Sequence, residues 1–161
     1  MPPSSTDGYF KTLNLVFLAM FGGNVVFFVV VLYLVRVAGY PTQPELHGIT
    51  LYAVPILSGA IAMAATLLHQ RMIGSGQRLH SLTLKRQRYQ MATVLYCAVL
   101  NGASTFCLVV FLLVGSDWYL VFFAALLGLF LLRRPSRQAF IRDLALSREE
   151  AQRVEGYGHN G

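Results

Sequence analysis

Two asparagines stand in long apolar runs. Asn24 follows Gly22-Gly23, and Asn101 opens the sequence Asn101-Gly102-Ala103-Ser104-Thr105. A side-chain amide brings two donors and an acceptor with two lone pairs, so apolar surroundings oblige it to find partners. Two uses of these groups remain open. The amides, with Ser104 and Thr105, line a polar path or hold a small neutral ligand. Alternatively, they join helices, with Gly23 and Gly102 letting backbones approach. Gly23, Asn24, Asn101, Gly102, Ser104 and Thr105 are therefore the candidates for helix packing or a polar path.

The chemistry that is missing restricts the choice. No Asp, Glu, Lys or Arg lies well inside an apolar stretch. Proton relays, ion-coupled transporters and voltage sensors usually place ionisable groups there. Glu45, His47 and Asp117 form a three-ligand set without a metal-binding spacing, and solvated loop residues are the plainer reading. His69 and His80 fall elsewhere. No phosphate-cradling glycine loop, nucleophile elbow, paired cysteine motif or metalloprotease helix occurs. Cys97 and Cys107 are ten residues apart on one predicted helix, about 15 Å along its axis, too far to bond to each other. They read as small packing residues. Neither cofactor nor metal is expected, and enzymatic activity is not expected either.

The elements that carry these residues follow from composition. Of the 161 residues, 55% are hydrophobic and 12% are charged. A soluble domain carries about 25% charged residues. Mean hydropathy is +0.55. The net charge of +6 matches the cationic excess expected of membrane proteins, and no basic surface interleaved with aromatics points to nucleic acid.

Four spans are predicted, at about 13–35, 49–68, 91–114 and 119–132. The first is too long for the apolar core of a signal peptide and lacks a basic leader, so it reads as a retained helix. Residues 1–9 should be loosely held. Ala38–Gly48 reads as a loop, and Pro55 should bend the second span. His69–Arg88 reads as a basic connection broken at Gly74-Ser75-Gly76. A short amphipathic helix follows, with Leu79, Leu82 and Leu84 on the membrane surface and Arg78, Lys85, Arg86 and Arg88 meeting lipid headgroups. Gly115-Ser116-Asp117 reads as a tight turn, and Trp118 and Tyr119 as an interfacial aromatic belt. The fourth helix should run on towards Arg134, where Pro135 interrupts it. In the tail, short helices are expected near Arg137–Leu144 and Arg148–Val154, the second started by the capping box Ser147-Arg148-Glu149-Glu150. Residues 1–134 thus form the transmembrane domain and 135–161 an amphipathic tail.

All of the thirteen Lys and Arg residues except Lys11 and Arg36 lie in the second connection and the tail. The positive-inside rule puts those segments, and hence both termini, in the cytoplasm.

The first and third spans align at an offset of 79. Ala19/Ala98, Gly23/Gly102, Phe27/Phe106, Val30/Val109, Val31/Val110, Leu34/Leu113 and Val35/Val114 are identical pairs. Two explanations stand: a duplicated helical hairpin with parallel repeats, or the small residue alphabet of apolar segments.

The stretch Ala98–Val109 resembles the carboxylate helix of rotary-ATPase proteolipid subunits. Asn101 stands where that family carries its proton-binding carboxylate, so the rotary function does not carry over. The ending Arg134-Pro135-Ser136-Arg137, Asp143-Leu144 and Ser147-Arg148-Glu149-Glu150 resembles the tail of small four-span bacterial membrane proteins, a resemblance that implies a family without an activity. The expected protein is an all-α, four-helix membrane bundle in a bacterial inner membrane, non-enzymatic, with the lipid bilayer and itself or another membrane protein as partners. A transporter or channel for a small neutral solute is the alternative.

Overall fold

The charge-free runs form helices. In a computed structural model, α1 covers Thr6–Arg36, α2 His47–Gln77, α3 Leu82–Val114 and α4 Trp118–Leu132. A 3-10 turn, Pro44–Leu46, leads into α2, and a short α5, Arg137–Asp143, follows α4. The structure describes residues 6–79, 81–133, 136–144 and 146, and no strand occurs among them. Three helices, α1, α2 and α3, are long and apolar enough to cross a membrane, and α4 is a shorter apolar helix of 15 residues. At 1.5 Å per residue, α1 and α2 are each about 46 Å long and α4 about 22 Å. An apolar layer of about 30 Å would leave the long helices protruding.

The bundle is built around α3, which packs against α1, α2 and α4. Its residues at the contacts are often small: Ala92, Cys97, Ala103, Ser104 and Cys107 are all buried. On α2 the buried residues Val54, Ser58, Ala65, His69, Ile73 and Gly76 make one stripe. Within it, the Ser58 hydroxyl lies 3.4 Å from Cys107 Sγ. Tyr119, Phe123, Leu126 and Phe130 make the matching stripe on α4. Stacked rings join α1 to α4: Phe17 on Phe130 at 4.5 Å and Phe28 on Phe123 at 5.3 Å.

The offset of 79 has a spatial counterpart. Leu13 and Ala92, Phe17 and Tyr96, and Val31 and Val110 are buried as pairs, whereas Gly23 and Gly102, and Val30 and Val109, are exposed as pairs. The second helices do not follow the same offset. Shifting His47, the first residue of α2, by 79 lands inside α4, and α2 is twice as long as α4.

Several expectations are corrected. Helix α1 begins at Thr6, within the segment expected to be loose. Gly74-Ser75-Gly76 does not break α2, which continues to Gln77. Ser75 Oγ donates to the Met72 carbonyl at 2.7 Å. Gly76 leaves room for a neighbour, since a Cβ there would sit 3.0 Å from Leu144 Cδ2. The glycine thus serves the approach of the tail to α2. The separate amphipathic helix is also absent: Leu82 and Leu84 belong to the first turn of α3, and the connection shrinks to residues 78–81. Tyr119 faces inward and is fully buried, whereas Trp118 is exposed, so only Trp118 suits an aromatic belt. At its far end α4 stops at Leu132 with Arg133 as its cap.

The tail helix forms as expected. Ser136 caps α5 by accepting from the Ala139 amide at 3.1 Å. Phe140 and Leu144 bury themselves with Leu13, Ile73, Tyr89 and Ala92, and the Phe140 ring meets Tyr89 edge-on at 5.1 Å. The expected helix near Arg148–Val154 and its capping box lie outside the described residues.

Between α3 and α4, Gly115 adopts φ +77° and its amide returns to the Phe111 carbonyl at 2.7 Å. This left-handed cap suits glycine. A Cβ would meet Thr42 Cγ2 at 2.8 Å. Gly115→Ala should therefore lower stability by about 1–2 kcal/mol or more, seen as an earlier unfolding transition in detergent. Adding Thr42→Ser, which deletes that methyl, should recover part of the loss.

Candidate functional site

The polar residues of α1 and α3 come together. Asn24 is 3% exposed. Its Nδ2 donates to Asn101 Oδ1 at 2.7 Å. Its Oδ1 accepts from Thr105 Oγ1 at 3.3 Å and lies 3.2 Å from Ser104 Oγ. Ser104 has one hydroxyl hydrogen, and the Asn101 carbonyl at 2.9 Å is its nearer acceptor. Three residues of one helix thus surround one amide of the other, at the centre of both charge-free runs. All four polar candidates meet in this cluster.

The glycines do not join it. Gly23 and Gly102 are exposed, and a Cβ on either would meet nothing within 4 Å. They do not hold α1 against α3. They leave shallow, featureless backbone on the outside of the bundle, at the depth of the asparagines.

The four basic candidates separate. Arg78 and Arg88 are exposed and Arg86 is half-buried. Lys85 is only 7% exposed, in the first turn of α3. Its burial sets it apart from the other three, because the basic segment is packed helix rather than open loop.

Sequence reasoning missed two further groups. At the end of the bundle that holds the α3–α4 turn, Tyr119 OH lies 2.5 Å from Thr50 Oγ1 and 3.2 Å from His47 Nδ1. Thr50 donates onward to the Leu46 carbonyl at 2.8 Å. The hydrogens then run in one direction: His47 to Tyr119, Tyr119 to Thr50, Thr50 to the backbone. Beside them, Arg36 pairs with Asp117, and the Gln43 amide donates to the Leu113 carbonyl at 2.7 Å. Glu45 takes no part in this set with His47 and Asp117, and no cluster of three metal-ligating residues occurs among the described residues. At the opposite, basic end, His69 meets the Tyr96 ring edge-on at 5.4 Å, and the Arg133 guanidinium lies over the same ring at 5.7 Å. No sequence spacing links His69, Tyr96 and Arg133, which lie on α2, on α3 and at the cap of α4.

Compared with known proteins, the chain matches no family model, no curated protein and no solved structure.

The geometry makes Asn24 and Asn101 a coupled pair. Hydrogen bonds between apolar helices contribute about 0.6 kcal/mol each, reaching about 1.7. Asn24→Leu and Asn101→Leu should each destabilise the fold by about 1–2 kcal/mol. The double variant should lose less than the sum, because each single change strands the other amide. A double-mutant cycle on reversible unfolding in micelles checks this, and simple additivity would refute the direct link.

Proposed function

We propose that this chain is a non-enzymatic, four-span membrane protein that acts by helix packing, as a homo-oligomer or as a small subunit of a larger membrane complex. One observation carries the reading. The polar groups at mid-depth satisfy one another inside the bundle, whereas Gly23 and Gly102 turn outward with open space above them. Outward small residues at the same depth let another helix approach closely. A path for a small neutral solute would have to open the Asn24–Asn101 bond, which argues against the transport alternative.

The wider proposal follows from the same arrangement. The fourth span is α4, short enough to rely on Trp118 at one end and Arg133 at the other. The described basic residues other than Arg36 belong to one end of the bundle, which is assigned to the cytoplasm of a bacterial cell. The tail resemblance to small four-span bacterial membrane proteins agrees with this placement. Duplication of an ancestral hairpin accounts for the matched burial of α1 and α3, with the second helices diverged in length.

Native mass in mild detergent tests the assembly reading. Gly23→Leu and Gly102→Leu should each shift the protein towards monomer and leave its own unfolding transition in place, because neither side chain meets a neighbour within the chain. An unchanged oligomeric state in both variants would sink the reading. Topology is tested separately: Glu45→Cys should react with an impermeant thiol reagent on intact cells, and Ser75→Cys only after the membrane is opened.

A further inference from the structure

A cleft of about 590 Å³ opens at the basic end, between the last turns of α2, the end of α4 and α5. Its polar lining is His69, Gln70, Gln77, Arg133, Arg142 and Asp143. We infer that this cleft binds the phosphate of a membrane phospholipid, with Arg133 as the principal contact.

The cations carry the argument. Among the described residues, the Arg133 guanidinium meets the face of the Tyr96 ring and no acceptor. Arg142 spends its Nε on Asp143 Oδ1 at 3.1 Å, and its Nη groups remain for another acceptor. Guanidinium groups match phosphate oxygens with paired donors. The wall is firm. Gln77 Nε2 donates to the Asp143 carbonyl at 2.8 Å and ties α5 to α2, while the exposed amide of Gln70 adds a further donor on the α2 side.

The position favours a lipid over free phosphate. Leu132, which also lines the cleft, is 82% exposed and directly precedes Arg133. Leu131 and Leu129, earlier on α4, are exposed as well. The polar cleft thus meets bare apolar surface at the end of an apolar helix. A phosphodiester with acyl chains uses both halves of this boundary, whereas an inorganic ion uses only one. This step rests on reading α4 as a membrane span, but not on the assembly reading.

Native mass spectrometry of the full chain, titrated with short-chain phosphatidylglycerol, tests the assignment and resolves bound lipid separately from oligomeric state. Wild type should retain a discrete lipid. Arg133→Gln should weaken retention about tenfold, and Gln70→Leu, at an exposed position that does not threaten folding, roughly threefold. Lys11→Gln, an exposed cation outside the cleft, should change nothing. Equal retention in the first two variants would overturn the proposal, as would an equal loss in the third. Displacement of the lipid by inorganic phosphate at matching concentration would also overturn it, reassigning the cleft to a soluble anion.

Discussion

An amide buried at the middle of an apolar helix has no water to turn to, and Asn24 is such an amide. Its two bonding edges are met by α3, through Asn101 and Thr105, with Ser104 packed alongside. Those three residues occupy a single face over little more than one turn, so the match holds at one register. Sliding α1 by a turn would move Asn24 by about 5.4 Å and leave both asparagines unpaired. Other contacts depend on that register. It brings Leu13 level with Tyr89 and Ala92 at one end and Arg36 level with Asp117 at the other. It also sets the phenylalanines of α1 against the rings of α4.

Water supplies no hydrophobic force between helices in lipid, so close packing and polar pairing must do more. The division of labour among the helices fits that requirement. At its contacts α3 is often small, which admits three neighbours at once. Towards α1 it offers hydroxyls and an amide; towards α2 it offers Cys107 to Ser58. Where α1 and α4 would otherwise stand apart, phenylalanine rings fill the gap. Wide faces of α1 and α2 carry exposed Leu, Val and Ile. On a soluble protein such faces would be a liability; against acyl chains they match their solvent. Gly23 interrupts the face of α1 and Gly102 opens the surface of α3 at matching depth, and there the outer surface offers backbone in place of branched side chains.

Much of this was legible in the residues. Absence of charge marked the long helices, Gly115-Ser116-Asp117 marked a turn, and the tail pattern marked α5. The polar cluster was visible as its four members but not as a set of bonds, because pairing across helices depends on register, which spacing within one helix does not encode. Gly74-Ser75-Gly76 misled for a physical reason. Glycine weakens a helix by propensity, yet packing of Leu144 over Gly76 overrides the preference. Tyr119 misled similarly. Its place beside Trp118 suggested the membrane surface, but the hundred-degree step between neighbouring helical residues puts the two on different faces, and Thr50 and His47 wait for Tyr119 inside. The basic connection looked like a loop because charge resembles solvent exposure; it is instead the continuation of two packed helices.

The two ends of the bundle settle their polar groups differently, and that difference limits where the protein can meet its surroundings. Around the α3–α4 turn, Arg36 has Asp117, Tyr119 has Thr50 and His47, and Gln43 is bonded to α3, so these groups find partners within the chain. The basic end lacks this balance. Cations outnumber carboxylates among its described residues, and Arg133 rests on an aromatic face instead of an acceptor. Surplus donors at the edge of an apolar layer are costly to leave dry and are readily met by anions from outside the fold. The proposed lipid site accordingly lies at the basic end, beneath α5, which the burial of Phe140 and Leu144 holds in place. The proposed assembly contact lies instead on the flanks, at the level of the two glycines, where a side chain would meet open space.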